Sequence, residues 1–169
     1  MNVILAQGMG IIATVIILYI VHLKNIKKIL IGEIAVNLAV ALNYILLEGF
    51  SGAGLCIIAT AHTLVSYYFS NTEKKFPKAC MTVFILLYIL WTASTYKSML
   101  DILPGISSLL FAFAIMQEQP SRYRILKTLN SFVWIIYDVK IMAHTTVLTH
   151  LFLFISSIIA IIRIDVRKK

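Results

Sequence analysis

Seven apolar stretches, each closed by a charged or Gly/Ser-rich interruption, organise the chain. They cover about residues 3–23, 29–47, 53–70, 79–96, 102–116, 125–143 and 147–164. A helix that crosses a bilayer needs about 20 mostly apolar residues, so each stretch predicts a spanning helix, the second and fifth being short. The interruptions are compact: Lys24, Lys27 and Lys28 after the first, Glu48 to Gly52 after the second, Asn71 to Lys78 after the third. Lys97 to Asp101, Gln117 to Arg124 and His144-Thr145-Thr146 close the next three, and Asp165 to Lys169 ends the chain. Pro120 in the fifth interruption reads as a helix breaker. The fold class is all-α, a polytopic membrane protein of seven transmembrane helices.

Composition narrows this further. Of 169 residues, 60% are hydrophobic and 13% charged, where a soluble domain carries about a quarter of its residues as charges. Mean hydropathy is +0.93. A soluble domain, a disordered tail and a disulfide-stapled module are excluded, and seven spans, at roughly 140 residues, leave no room for a separate soluble domain. The 15 Lys and Arg outnumber the 7 Asp and Glu, and their placement matters more than their number. Thirteen of them, Arg124 and Lys127 included, fall in the first, third and fifth loops and the C-terminus; only Lys97 and Lys140 fall on the opposite side. The positive-inside rule then predicts an external N-terminus and a cytoplasmic C-terminus. A six-span arrangement would break the alternation. The cations are spread over short loops at one face, so attraction to anionic lipid explains them and nucleic acid is not an expected partner. The first apolar run has no basic residue before it and no small-residue cleavage site after it, unlike a signal peptide. Cys56 and Cys80 fall in opposite leaflets, beyond disulfide reach.

Seven spans also invite a 3+1+3 division into parallel triple-helix bundles, residues 1–71 and 101–169, joined by a linker helix within 72–100. Sliding the halves by 93 residues places Asn37 on Asn130 and Tyr44 on Tyr137. Each Asn then precedes its Tyr by two helical turns on one face. Parallel repeats of this kind occur in transporters.

Several short motifs carry a family resemblance. Ala6-Gln7-Gly8-Met9-Gly10-Ile11-Ile12-Ala13 opens the chain; Leu46-Leu47-Glu48-Gly49 is followed by Gly52-Ala53; Asp101-Ile102-Leu103-Pro104, Trp134-Ile135-Ile136-Tyr137 and Ile161-Ile162-Arg163 follow in order. Together they resemble the YgjV-like bacterial inner-membrane proteins over nearly the whole chain. The resemblance implies location in the inner membrane and no particular activity. At the level of architecture the 3+1+3 plan is also similar to the SWEET and PQ-loop carriers. Those carry a proline in the first helix of each triplet, matched here by Pro104 but replaced by Gln7-Gly8-Met9-Gly10 in the first span. The prolines of the sugar-carrier pattern in spans two and six are absent, so its substrate residues do not transfer.

Ionisable groups inside a membrane are expensive and mark functional candidates. His62 falls near the middle of span three and shares a face with Ser66, four residues on; it is expected either to line a cavity or to sit neutral against a neighbouring helix. Asn130, Trp134 and Tyr137 make one stripe on span six, and Asn37 and Tyr44 a matching stripe on span two, with Glu33 one turn before. Such stripes suit a small polar solute or, equally, hydrogen bonding between helices and interfacial anchoring. Glu33, close to the basic boundary, is expected to pair with Lys or Arg. Asp138 and Lys140 are expected at the interface. Pro104-Gly105 predicts a bend in span five, a hinge or a static kink.

Chemistry of other kinds finds little support. Gly49-Phe50-Ser51-Gly52 matches the Ser box of rhomboid proteases, with His62, His144 or His150 as candidate bases, but Ser51 falls in an outer turn. No metal-ligand spacing, phosphate loop or pair of mid-span Asp residues occurs, so no catalytic residue, metal or cofactor is expected. The leading expectation is a non-enzymatic small-solute transporter or facilitator, with the bilayer, a small polar solute and a second copy of the chain as candidate partners. The rival is a structural or regulatory membrane protein that binds lipid or a partner helix.

Overall fold

The computed structural model describes residues 2–46, 50–96, 99, 102–140 and 144–166. Seven α-helices are found among them, and no strand. They are α1 (Asn2–Ile20), α2 (Ile26–Leu46), α3 (Phe50–Asn71), α4 (Lys78–Thr95), α5 (Ile102–Ile115), α6 (Pro120–Lys140) and α7 (His144–Ala160), the last continued by a π-helical segment, Ile161–Val166. Four stretches are long and apolar enough to cross a membrane: Ile26–Leu46, Gly52–Asn71, Lys78–Thr95 and Val147–Val166; Ile4–Ile20 and Ile102–Ile115 are apolar but shorter. α6 has the length of α2 but is too polar to join them, because Arg124, Lys127, Asn130 and Ser131 lie along it. All four are buried.

Burial departs from that of a water-soluble bundle in what else lies outside and inside. Ile4, Ile11, Val15, Leu90, Phe152 and many other large apolar side chains point outward. Glu33, Asn37, His62, Ser107, Arg124, Lys127 and Asn130 point inward. Apolar surroundings favour this arrangement, since an inward polar group finds a partner there and an outward one does not. Several hydroxyls are satisfied within their own helix: Thr60 donates to Cys56 O and Thr63 to Ala59 O on α3, and Ser131 to Lys127 O on α6.

Six helices close a ring. α2 packs between α1 and α3, α6 packs between α5 and α7, and the contacts of α1 with α7 and of α3 with α5 complete it. α4 lies outside, against α3 and α5. Small residues permit the close approaches. A side chain at Gly54 would run into the Trp91 ring of α4, and a Cβ at Gly52 would sit 3.0 Å from the Tyr44 ring of α2.

Two proline readings change. Pro120 does not break a helix but starts α6, five residues before the apolar stretch begins, because its missing N–H is one the first turn would leave unpaired anyway. Pro104 is the third residue of α5 and for the same reason requires no kink. Gly105 is a packing contact, where a Cβ would come within 2.8 Å of Thr92 Cγ2. A bend at Pro104-Gly105, whether hinge or static kink, is thus not required by the hydrogen bonding of α5. Cys56 and Cys80 are free thiols. The side chains of Ser51, Asp138, Lys140 and His144, and residues Glu48, Gly49, Lys97 and Asp101, lie outside the described residues.

Candidate functional site

A cavity of about 190 Å³ occupies the middle of the ring, and every helix contributes to its wall. From α2 come Glu33, Asn37 and Tyr44, and from α6 Lys127, Asn130 and Trp134. On an α-helix these are spaced at i, i+4, i+11 and i, i+3, i+7, so each set runs up one face. The two faces meet as rungs, an ion pair below, two amides above it, and aromatic rings at the α2–α3 end.

The lowest rung is the most constrained. Lys127 Nζ lies 2.7 Å from Glu33 Oε1, with both side chains almost wholly shielded. Tyr123, one turn earlier on α6, donates its hydroxyl hydrogen to the same oxygen. Lys127 also sits 4.8 Å from the centre of the Phe111 ring, a cation–π contact that partly replaces lost hydration. The pairing of Glu33 with a cation fits the expectation for that residue. The partner does not: Lys127 reads as a surface cation beside Arg122 and Arg124, and the structure buries it. Its position three residues before Asn130, on the cavity-facing stripe, is the signal that would have found it.

Arg124 is likewise buried rather than a free loop cation. Its Nε donates to Asp165 Oδ2 at 2.9 Å and its Nη2 to Oδ1. Nη1 donates to the carbonyls of Leu23 at 2.8 Å and Val21 at 3.4 Å. Those carbonyls lie just past the end of α1, outside its helical hydrogen-bonding pattern. One guanidinium thus ties α1, α6 and the π-helical end of α7 together and closes the α1–α2 end below the ion pair. Beside it, His22 Nε2 and Ser156 Oγ share a hydrogen bond of 2.8 Å. Burial, then the positive charges of Arg163 and Arg124, lower the pKa of His22 below 6.5.

The amide rung is half satisfied. Asn130 Nδ2 donates to Ser107 O and Ser107 Oγ on α5, each at 2.7 Å. Asn37 Nδ2 has no hydrogen-bond partner, nor do Glu33 Oε2 and Tyr88 Oη, and all three residues line the cavity. At the upper end Trp134 stacks on His150 of α7 with ring centres 5.5 Å apart and planes 9° from parallel. Tyr137 meets Trp134 edge-on at 5.8 Å and is not part of the cavity wall. Tyr88 and Ser107 were not legible as site residues, and His150 was a candidate only as a base for Ser51, because each reaches the cavity only through the packing of its helix.

His62 and Ser66 lie elsewhere. His62 faces α4, stacked on Phe84 with ring centres 4.2 Å apart and planes 9° from parallel, with Phe76 and Tyr88 around it. Of the two expectations for His62, the structure places it as the second has it: it is not part of the cavity wall and packs against an aromatic wall. Ser66, one turn on, borders a separate pocket of about 320 Å³ at the α1–α2 end, with Lys27, Glu73 and Gln117. Among the described residues no cluster of three or more His, Cys, Asp or Glu side chains is placed to hold a metal ion.

A helical bundle that turns large apolar side chains outward along its helices while burying Glu33, Arg124 and Lys127 is a polytopic membrane protein. The chain belongs to the Imp-YgjV family, described as bacterial inner membrane protein, which matches residues 4–168. Its place is the bacterial inner membrane, which it enters as a multi-pass helical protein. Comparison with curated proteins and with solved structures gave no match.

Proposed function

We propose that the protein is a non-enzymatic transporter or facilitator of a small polar solute, which it holds in the central cavity. Three polar atoms without partners in the cavity wall, Glu33 Oε2, Asn37 Nδ2 and Tyr88 Oη, carry this reading. A polar group left unpaired in a buried site costs about 1–3 kcal/mol, and a bound solute removes that cost. Cavity size supports a small molecule, since a 150 Å³ protein cavity holds a benzene. All seven helices then span the membrane with the N-terminus outside, as the distribution of exposed cations favours. Two triplets, α1–α3 and α5–α7, rock about the shared site, and α4 links them. In this reading the Arg124–Asp165 clasp is the closed cytoplasmic end and the aromatic rung the external mouth. Proteoliposomes test it. Purified protein should raise the flux of some solute of fewer than about ten heavy atoms above that of empty vesicles. Asn37→Leu, which keeps the branched side-chain skeleton and removes the amide, should cut that flux about tenfold while leaving the fold intact. No flux across a broad solute panel, or flux indifferent to Asn37→Leu, would sink the reading.

A second reading, binding of lipid or a partner helix, is favoured by an apolar groove of about 480 Å³ between α4 and α5, lined by Tyr88, Ile89, Tyr96 and Ile106 among others. Recovery of a membrane partner that is lost on Ile106→Trp would support it.

A further inference from the structure

We infer that the solute is a small zwitterion, an ammonium and a carboxylate joined by a short chain; this rests on the cavity being a solute site. The cavity wall holds one carboxylate, Glu33, and one ammonium, Lys127, in contact with each other, so it carries no net formal charge. A solute bearing a single net charge brings that charge into the shielded cavity with no counter-charge of its own, because Glu33 and Lys127 already neutralise each other, and its lost hydration is left uncompensated. A net-neutral solute does not.

Among net-neutral solutes the unpartnered atoms discriminate. Glu33 uses Oε1 for both Lys127 and Tyr123, which leaves Oε2 as an ionised acceptor without a donor. The strongest match is a charged donor, because an ammonium adds direct charge–charge attraction, weakly screened there, to the hydrogen bond that any donor makes to an ionised oxygen. An ammonium supplies that, and a hydroxyl does not. The remaining free atoms, Asn37 Nδ2 and Tyr88 Oη, are donors suited to a carboxylate. Glu33 and Asn37 are one turn apart on α2, with Cβ atoms roughly 6 Å from each other, a span that a few methylenes bridge. Lys127 balances the incoming carboxylate as Glu33 balances the ammonium.

Calorimetry on the full chain in lipid nanodiscs tests this with probes of matched size: glycine, β-alanine and γ-aminobutyrate against butyrate, n-butylamine and butane-1,4-diol. The best zwitterion should bind at least tenfold more tightly than the anion, the cation and the diol. Glu33→Gln with Lys127→Gln, which removes both charges together, should abolish that margin. Tyr88→Phe, which deletes a hydroxyl with no partner and leaves the packing intact, should weaken the zwitterion about three- to tenfold. If butane-1,4-diol, butyrate or n-butylamine binds as tightly as the best zwitterion, or if both variants retain the full zwitterion margin, the inference is overturned and the cavity reading stands. If none of the six binds but other solutes cross proteoliposomes, the inference again falls alone. If nothing binds and nothing crosses, both fall.

Discussion

Two buried polar regions, the α2–α6 ladder and the α3–α4 seam, differ in what the opposing helix brings. On α2, Glu33 and Asn37 face a cation and an amide of α6 across a cavity. On α3, His62 faces Phe84, Phe76 and Tyr88, with neither ring nitrogen hydrogen-bonded. Both regions are shielded from solvent, and both carry an ionisable side chain. Only the ladder combines opposite charges, unpaired polar atoms and space. Burial of a polar residue in an apolar helix therefore marks expense, and the partner across the seam decides whether the expense serves binding or is absorbed by packing. His62 is absorbed. Its flat contact with Phe84 uses the ring as an aromatic surface.

The largest test of this contrast breaks the lowest rung. Lys127→Leu leaves the Glu33 carboxylate buried with only the Tyr123 hydroxyl, and should cost about 3–5 kcal/mol, the usual penalty for removing one partner of a buried pair. Adding Glu33→Leu should restore most of it, because an apolar pair of similar volume is often neutral or better. Unfolding in mixed micelles measures both. A single variant as stable as the double would show that the pair is solvated, and the ladder would lose its distinction from the seam. The seam has its own weak point, with a smaller effect. Gly54→Ala drives a methyl into the Trp91 ring and should cost about 1–3 kcal/mol, as overpacking does, with a shift in tryptophan emission. It should also weaken solute binding, since Tyr88 stands one turn before Trp91 on α4 and reaches the cavity.

The helical fold was legible because apolar length alone specifies a membrane helix; α2 to α4 begin and end within about three residues of the apolar stretches. Asn37, Tyr44, Asn130 and Trp134 were legible as facing stripes because 3.6-residue periodicity places them on one side of each helix. Lys127 and Arg124 were misplaced. Charge counting treats every cation near a helix end as solvated, whereas α6 starts at Pro120 and carries both inside the bundle. Tyr88 and His150 depend on which helices become neighbours, and one sequence holds no record of that. The same blindness left His62 between a cavity and a helix seam: periodicity gives its face but not what that face meets.

A milder change tests the seam directly. His62→Phe keeps a flat ring against Phe84 and removes two nitrogens that have no partner. Nearly volume-conserving swaps in a core cost less than about 1.5 kcal/mol, and loss of unpaired polar atoms works in the favourable direction. Thermal stability should be equal or slightly raised, and solute binding unchanged. A folded His62→Phe protein that no longer binds solute would move His62 into the site and erase the contrast between the two regions.

The smallest expected effect concerns which histidine responds to acid. His22 lies in the connection between α1 and α2, outside the helices, and its pKa is lowered by partial burial and then by Arg163 and Arg124. The folded protein therefore binds fewer protons at His22 than the unfolded chain does when the pH drops below about 6.5, the ordinary histidine value. Stability rises with pH wherever the unfolded state holds more protons. It should fall slightly as the pH is lowered from 6.5 toward the depressed value of His22, and level off below it. His22→Gln should flatten this part of the stability curve, while His62→Phe should leave it in place. If His62→Phe flattens it instead, protons reach the α3–α4 seam in the folded protein, and the seam is a second ionisable site rather than a packed aromatic wall.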